Sequence, residues 1–88
     1  MKHLTHPTFW KHFDQLRPEV QEAANKNFAL LKADPKHPSL KFKRIKKYWS
    51  VRVNIDHRAL AIEAEDCYVW FWIGGHSEYD RIVDAQRK

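Results

Sequence analysis

The stretch that decides the fold is the C-terminal third. It runs from His57-Arg58-Ala59-Leu60-Ala61, through Tyr68-Val69-Trp70-Phe71-Trp72-Ile73, into Gly74-Gly75-His76-Ser77-Glu78-Tyr79-Asp80. Arg58 to Ala64 reads as a strand with Leu60 and Ile62 pointing inward, and Glu65-Asp66 leaves room only for a tight hairpin turn. Cys67 to Ile73 is apolar on both faces, the pattern of a central strand covered twice. Gly74-Gly75 ends that strand, and Ser77 is placed to cap a short final helix with Tyr79, Ile82 and Val83 along one side. Basic side chains are thereby brought near a histidine, a group able to move protons at neutral pH.

Working upstream, Trp49, Val51, Val53 and Ile55 alternate with Tyr48, Ser50, Arg52 and Asn54, so Arg52 is expected on the sheet face opposite the valines. The chain turns between Asn54 and His57. Leu40 and Phe42 alternate with Lys41 and Lys43 as in a half-buried strand, and Lys46-Lys47 makes a charged turn. Two helices come first. Thr8 is the expected N-cap of one carrying Phe9, Trp10, Phe13 and Leu16, and Pro18 opens a second with Val20, Ala24, Phe28 and Leu31 as its apolar stripe. Pro35 disfavours helical geometry in the residue before it, so this helix ends near Asp34. The class is α+β: an N-terminal helical hairpin packed on one face of a curved, mainly antiparallel four-stranded sheet, followed by a short C-terminal helix.

With 88 residues the chain makes one domain, residues 1–88, and its four tryptophans supply the apolar area that disordered segments lack. No apolar run is long enough to cross a bilayer and Met1 to Pro7 has no signal-peptide core, so a cytoplasmic location is expected. The lone Cys67 has no partner for an internal disulfide, and its neighbours Glu65 and Asp66 disfavour a thiolate. Six histidines occur without an HExxH pattern, so neither a metal nor another cofactor is expected. The net charge of +5 is concentrated: from residue 35 to 58 the chain carries Lys36, Lys41, Lys43, Arg44, Lys46, Lys47, Arg52 and Arg58 against Asp56 alone. Such a patch suits a polyanion or an acidic protein partner, the plainer reading being a solvated basic face.

Phe28-Ala29-Leu30-Leu31-Lys32 running into His37-Pro38-Ser39-Leu40, Tyr48-Trp49-Ser50-Val51-Arg52-Val53, His57-Arg58-Ala59-Leu60-Ala61 and Trp72 to Asp80 together resemble the RelE/ParE superfamily of type II toxin-antitoxin toxins. The likeness spans nearly the whole chain. It implies a helical hairpin on a curved antiparallel sheet, with the usual N-terminal strand missing or reduced to Lys2 to Thr5. It also implies a toxin whose partner is an antitoxin with an acidic segment. Its expected activity is that of a ribosome-dependent, metal-independent mRNA endoribonuclease that inhibits translation. The alternatives are a ParE-like inhibitor of DNA gyrase and a non-catalytic, partner-binding module.

Carried over by position, the resemblance implies catalytic roles for His76, Arg58, Arg52 and Tyr79. Metal-free RNA cleavage needs a base for the ribose 2′-hydroxyl, an acid for the leaving 5′-oxygen and cations around the phosphorane, roles open to His76 and to the two arginines. Tyr79 is expected to stack on a base or orient the nucleotide. Lys41, Lys43, Arg44, Lys46 and Lys47 are the expected RNA-binding surface, Lys43 foremost for direct phosphate contact. The competing structural roles are a helix-cap interaction for His76 and an ion pair with Glu63 or Glu78 for Arg58. The paired lysines of RelE fall on Ser50 and Arg52, and the catalytic glutamate of YoeB has no counterpart before Trp49.

Overall fold

The computed structural model describes residues 1–85. Its elements in chain order are β1 (Lys2–Thr5), α1 (Pro7–Phe13), α2 (Pro18–Ala33), a 3-10 turn (Pro38–Leu40), β2 (Lys43–Ile45), β3 (Tyr48–Asn54), β4 (His57–Ala64), β5 (Cys67–Gly75) and α3 (His76–Asp84). The expected class holds, with one strand more than expected. The sheet has five strands in the order β1-β5-β4-β3-β2, because Lys2–Thr5 pairs in parallel along the outer side of β5. A four-residue edge strand carries too little alternation to announce itself in a sequence; its partner, not its own pattern, makes it a strand. The other junctions are antiparallel.

Several local expectations need revision. Leu40 and Phe42 are not in a strand: Pro38–Leu40 forms a 3-10 turn ending on Lys41 with φ 46°, and β2 begins only at Lys43. The imidazole of His6, rather than Thr8, caps α1, accepting from the Thr8 amide at 3.1 Å. Pro18 opens α2 as expected, and the helix ends at Ala33 ahead of Pro35.

The sheet is covered twice. On one face α1 and α2 pack Phe9, Val20, Ala24 and Leu31 against Val51, Val53, Ala59, Ala61, Trp70 and Ile73. On the other, α3 lays Tyr79 and Val83 over Leu60 and Trp72. Trp70 and Trp72, two residues apart, would share a face in a regular strand. They lie on opposite faces because the β4–β5 register shifts between Leu60 and Ala61, leaving Phe71 as an extra residue in β5. The Phe71 carbonyl at this bulge accepts from Thr8 Oγ1 of α1 at 2.9 Å.

β1 is held by His3. Its ring stacks on Trp70 at 6.1 Å with an interplanar angle of 18°, and its Nδ1 accepts from the Trp70 indole N–H at 3.0 Å. Accepting at Nδ1 requires the neutral ring in its Nε2–H tautomer. Burial, then the nearby Lys32 ammonium and the N-terminal amine, push the His3 pKa below its ordinary value. A histidine whose folded pKa is depressed contributes stability that is complete above its unfolded value, near 6.5, and is lost as pH falls below it. Chemical denaturation of the wild type is therefore expected to show stability falling as the pH drops below about 6.5. His3→Asn, which keeps an acceptor that does not titrate, is expected to flatten that fall; equal slopes in both proteins would contradict the assignment.

Candidate functional site

Arg52 and Arg58 stand directly opposite each other across β3 and β4, on the face that α3 covers. The same face carries Lys43, which is paired with Ser50 in the adjacent row, and so lies diagonal to Arg52. Arg58 in turn lies opposite Gly74 on β5, two residues before His76 begins α3. Three cations thus form a band across three strands, β2, β3 and β4, and the imidazole in the first turn of α3 stands at its end. Like charges facing each other across a sheet repel. That arrangement becomes favourable when an anion lies between them.

The turn between β3 and β4 organises the band. Asn54 Oδ1 accepts from the Asp56 amide at 2.9 Å and meets His57 Nδ1 at 3.0 Å, closing the loop from the inside. Arg58 Nη1 donates to the carbonyls of Asn54 at 2.7 Å, His57 at 2.9 Å and Ile55 at 3.4 Å. These contacts spread the guanidinium charge over backbone oxygens and fix its orientation. They all run through Nη1, so among the described residues the Nη2 and Nε donors have no partner. The Asp56 carbonyl accepts from the His76 amide at 2.8 Å, which joins the start of α3 to the same turn. One short loop therefore sets the position of both Arg58 and His76.

His76 is half exposed, at 53% for the side chain, and its Nε2 lies 3.2 Å from Asp80 Oδ2, one helical turn on. Its ring lies 6.0 Å from that of Tyr79, tilted by 32°. Asp80 was not singled out in the sequence, although the i,i+4 spacing on a helix carries the signal. A carboxylate at this distance holds the ring nitrogen in one orientation, and at an exposed site the pair adds little to stability.

The remaining expected residues separate. Tyr79 is buried, at 7% exposure, with Leu60, Trp72 and Val83, so its ring packs under α3 and is not open to solvent. Ser77 does not cap α3; Gly75 occupies that position without a side-chain bond. Glu78 takes the Trp72 indole N–H at 3.0 Å and Glu63 takes that of Trp49 at 2.8 Å, so neither carboxylate serves as the ion-pair partner considered for Arg58. Lys46, with φ 57°, sends its ammonium to the Val83 carbonyl at 3.2 Å, at the C-terminal end of α3. Arg44 Nε donates to the Lys46 carbonyl, and the Lys47 ammonium lies 5.6 Å from the centre of the Tyr48 ring. Lys41 is exposed at the end of the 3-10 turn. Of the five lysine and arginine candidates in this segment, Lys43 is the one whose register places it beside the arginine pair.

Residues 18–81 match the model of a family described as the ParE-like toxin domain. Among solved structures, the fold is similar to YafQ from E. coli (TM-score 0.71, 12% identity, covering 89% of this chain and 96% of that one). It is also similar to the RelB-RelE antitoxin-toxin complex from Methanococcus jannaschii (0.69, 17%, 89% and 96%). A third similar structure is the YoeB/ParE toxin from Agrobacterium tumefaciens (0.66, 19%, 86% and 99%). No curated protein matches the sequence.

Gly74 offers a test of how tightly the band is built. A Cβ there would sit 2.6 Å from Cζ2 of the Trp72 indole, whereas one on Gly75 would meet nothing within 4 Å. Gly74→Ala is therefore expected to lower stability by about 1–3 kcal/mol, the range for overpacking, and Gly75→Ala by less than about 1 kcal/mol. Thermal or urea denaturation of the two variants side by side checks the difference.

Proposed function

The chain belongs to the ParE-like toxin family, the toxin side of toxin-antitoxin pairs, and we propose that it is a ribosome-dependent mRNA endoribonuclease acting in the cytoplasm without a metal ion. The observation that carries this reading is the direct opposition of Arg52 and Arg58 beside the imidazole that begins α3. A phosphodiester lying along the band meets fork-shaped donors from two strands and a proton-transfer group at one end. In this mechanism Arg52 and Arg58 hold the scissile phosphate and stabilise the charge that grows on its equatorial oxygens. His76, steadied by Asp80, takes the proton from the attacking 2′-hydroxyl as the O–P bond forms, and the 5′-oxygen released when its bond to phosphorus breaks takes a proton from solvent water. Lys43 extends the cationic track to the neighbouring phosphate, with Lys41 and Lys47 at its margin. Tyr79 supports the His76 ring from below in place of stacking on a base.

A second reading, inhibition of DNA gyrase without chemistry of its own, is favoured by the description of the matching family and by the burial of Tyr79. The two readings separate in cells and in solution. On induced expression, methionine incorporation is expected to stop while DNA supercoiling stays normal; the converse supports gyrase. With ribosome-bound mRNA under single-turnover conditions, His76→Ala is expected to slow cleavage by about 10²–10⁴-fold with binding largely kept. Arg58→Ala is expected to weaken both binding and rate, because a contact to phosphate acts in the ground state and strengthens in the transition state. Cleavage at the wild-type rate by folded His76→Ala contradicts the proton-transfer role.

The proposed partner is an antitoxin carrying an acidic segment. On the same face as the band and beyond α3 from it, Leu4, Val69, Ile62, Tyr48 and Ile45 form one cross-strand row, with Leu4 50% and Ile62 44% exposed. Arg44, Lys46 and Lys47 lie at its β2–β3 end. An amphipathic segment with acidic side chains fits this combination, its apolar side on the row and its carboxylates on the cations. Reversing charge at Lys43 and Arg44 to Glu is expected to weaken the complex at least tenfold and to flatten its salt dependence, read by titration at two ionic strengths.

A further inference from the structure

The β3–β4 register shifts by one residue between Arg52 and Asn54, leaving Val53 unpaired next to the arginine pair. A bulge of this kind re-aims the side chains around it, and it takes backbone carbonyls out of the regular ladder. In a regular strand successive carbonyls point to opposite edges, so a single donor cannot reach two in a row. Here one does. Asn27 Nδ2, on α2, donates to the Arg52 carbonyl at 3.0 Å and to the Val53 carbonyl at 2.8 Å. Both partners are carbonyl oxygens, so the group facing them must be the NH₂ end of the amide.

Asn27 approaches from the face that α1 and α2 cover, among Val51, Val53 and Ala59, while Arg52 belongs to the face under α3. The asparagine therefore touches the backbone that carries Arg52 and stays on the far side of the sheet from any ligand of the arginines. The bulge in β5 is treated in the same way, its Phe71 carbonyl taking the hydroxyl of Thr8 from α1. The difference lies in what each bulge aims: the one in β5 directs the core residue Trp72, and the one in β3 directs a cation.

We propose that Asn27 is a positioning residue for the Arg52–Arg58 pair, its amide locking the β3 bulge so that the Arg52 guanidinium lies where a phosphate can bridge it to Arg58. The proposal rests on the phosphate-holding reading of that pair. A residue of this kind contributes nothing to binding once the side chain it aims is gone.

The test is a double-mutant cycle on RNA binding, using a single-stranded oligoribonucleotide made uncleavable by 2′-O-methylation and fluorescence anisotropy over a salt series. Asn27→Leu keeps the shape and removes the donor without adding charge; Asn27→Ala serves if the leucine variant does not fold. Arg52→Ala is expected to weaken binding severalfold and to lower the slope of log affinity against log salt by about 0.7, one phosphate contact on a single strand. The Asn27 variant is expected to show a similar loss of slope, and Asn27→Leu combined with Arg52→Ala to bind no more weakly than Arg52→Ala alone. An Asn27 variant with wild-type affinity and slope overturns the proposal. So does a loss that multiplies with that of Arg52→Ala, which would mark a structural tie independent of the arginine. If Arg52→Ala leaves affinity and slope unchanged, the phosphate-holding reading falls first and this proposal with it.

Discussion

Two like charges set face to face across a sheet are the constraint around which this molecule is arranged. Arg52 and Arg58 occupy paired positions on adjacent strands, where a salt bridge or an apolar contact would stabilise the sheet and two guanidiniums oppose it. The surrounding backbone offsets part of the repulsion. Carbonyls of the β3–β4 turn converge on Arg58 Nη1, and the same turn receives the amide of His76. The turn is thus both the counter-charge for one arginine and the anchor of the helix that carries the imidazole. Among the described residues neither arginine has an ion-pair partner, and the proposed phosphate would stand as the anion between them.

The two sides of the sheet divide the labour. On one, α1 and α2 build the larger apolar core and reach through to the backbone of β3 and β5 at the points where each bulges. On the other, the short α3 covers only part of the face, packing Ile45 and Tyr48 at its edge, so the cationic band on one flank and Leu4 and Ile62 on the other are left to solvent or partners. The same helix is tied at both ends to turns between the strands, by the His76 amide on the β3–β4 turn and the Lys46 ammonium from the β2–β3 turn. An exposed functional surface and a fixed geometry are compatible here because the fixing is done by backbone contacts from below and at the helix ends.

Much of the fold could be read from local rules. Pro18 and Pro35 bracket α2, the alternation from Tyr48 to Asn54 places Arg52 opposite the valines, and Glu65-Asp66 turns the last hairpin. The features that escaped are those set by tertiary pairing. A one-residue bulge leaves no mark in composition, so Trp70 and Trp72 could not be assigned to separate cores, and the two carbonyls that call for Asn27 could not be foreseen. β1 exists because β5 offers it an edge and Trp70 offers His3 a hydrogen bond. For the candidate site, the cation pair and the histidine were legible because strand alternation and a terminal Gly pair are local signals. The depth of Tyr79, the diversion of Lys46 to α3 and the tie between His76 and Asp80 depend on how α3 lies across the sheet.

The most direct measurement of the central claim, that the arginine pair and His76 form one phosphate-handling site, is an NMR titration of the intact protein with a short RNA carrying a 2′-O-methyl block. Side-chain Nε–Hε signals of Arg52 and Arg58 and the ring carbons of His76 can be followed in the same samples. The account predicts that all of them shift along one binding curve, while signals from the face that α1 and α2 cover, such as the Trp70 indole, stay in place. Shifts confined to the outer lysines, or arginine and histidine signals that move with different affinities, would contradict it.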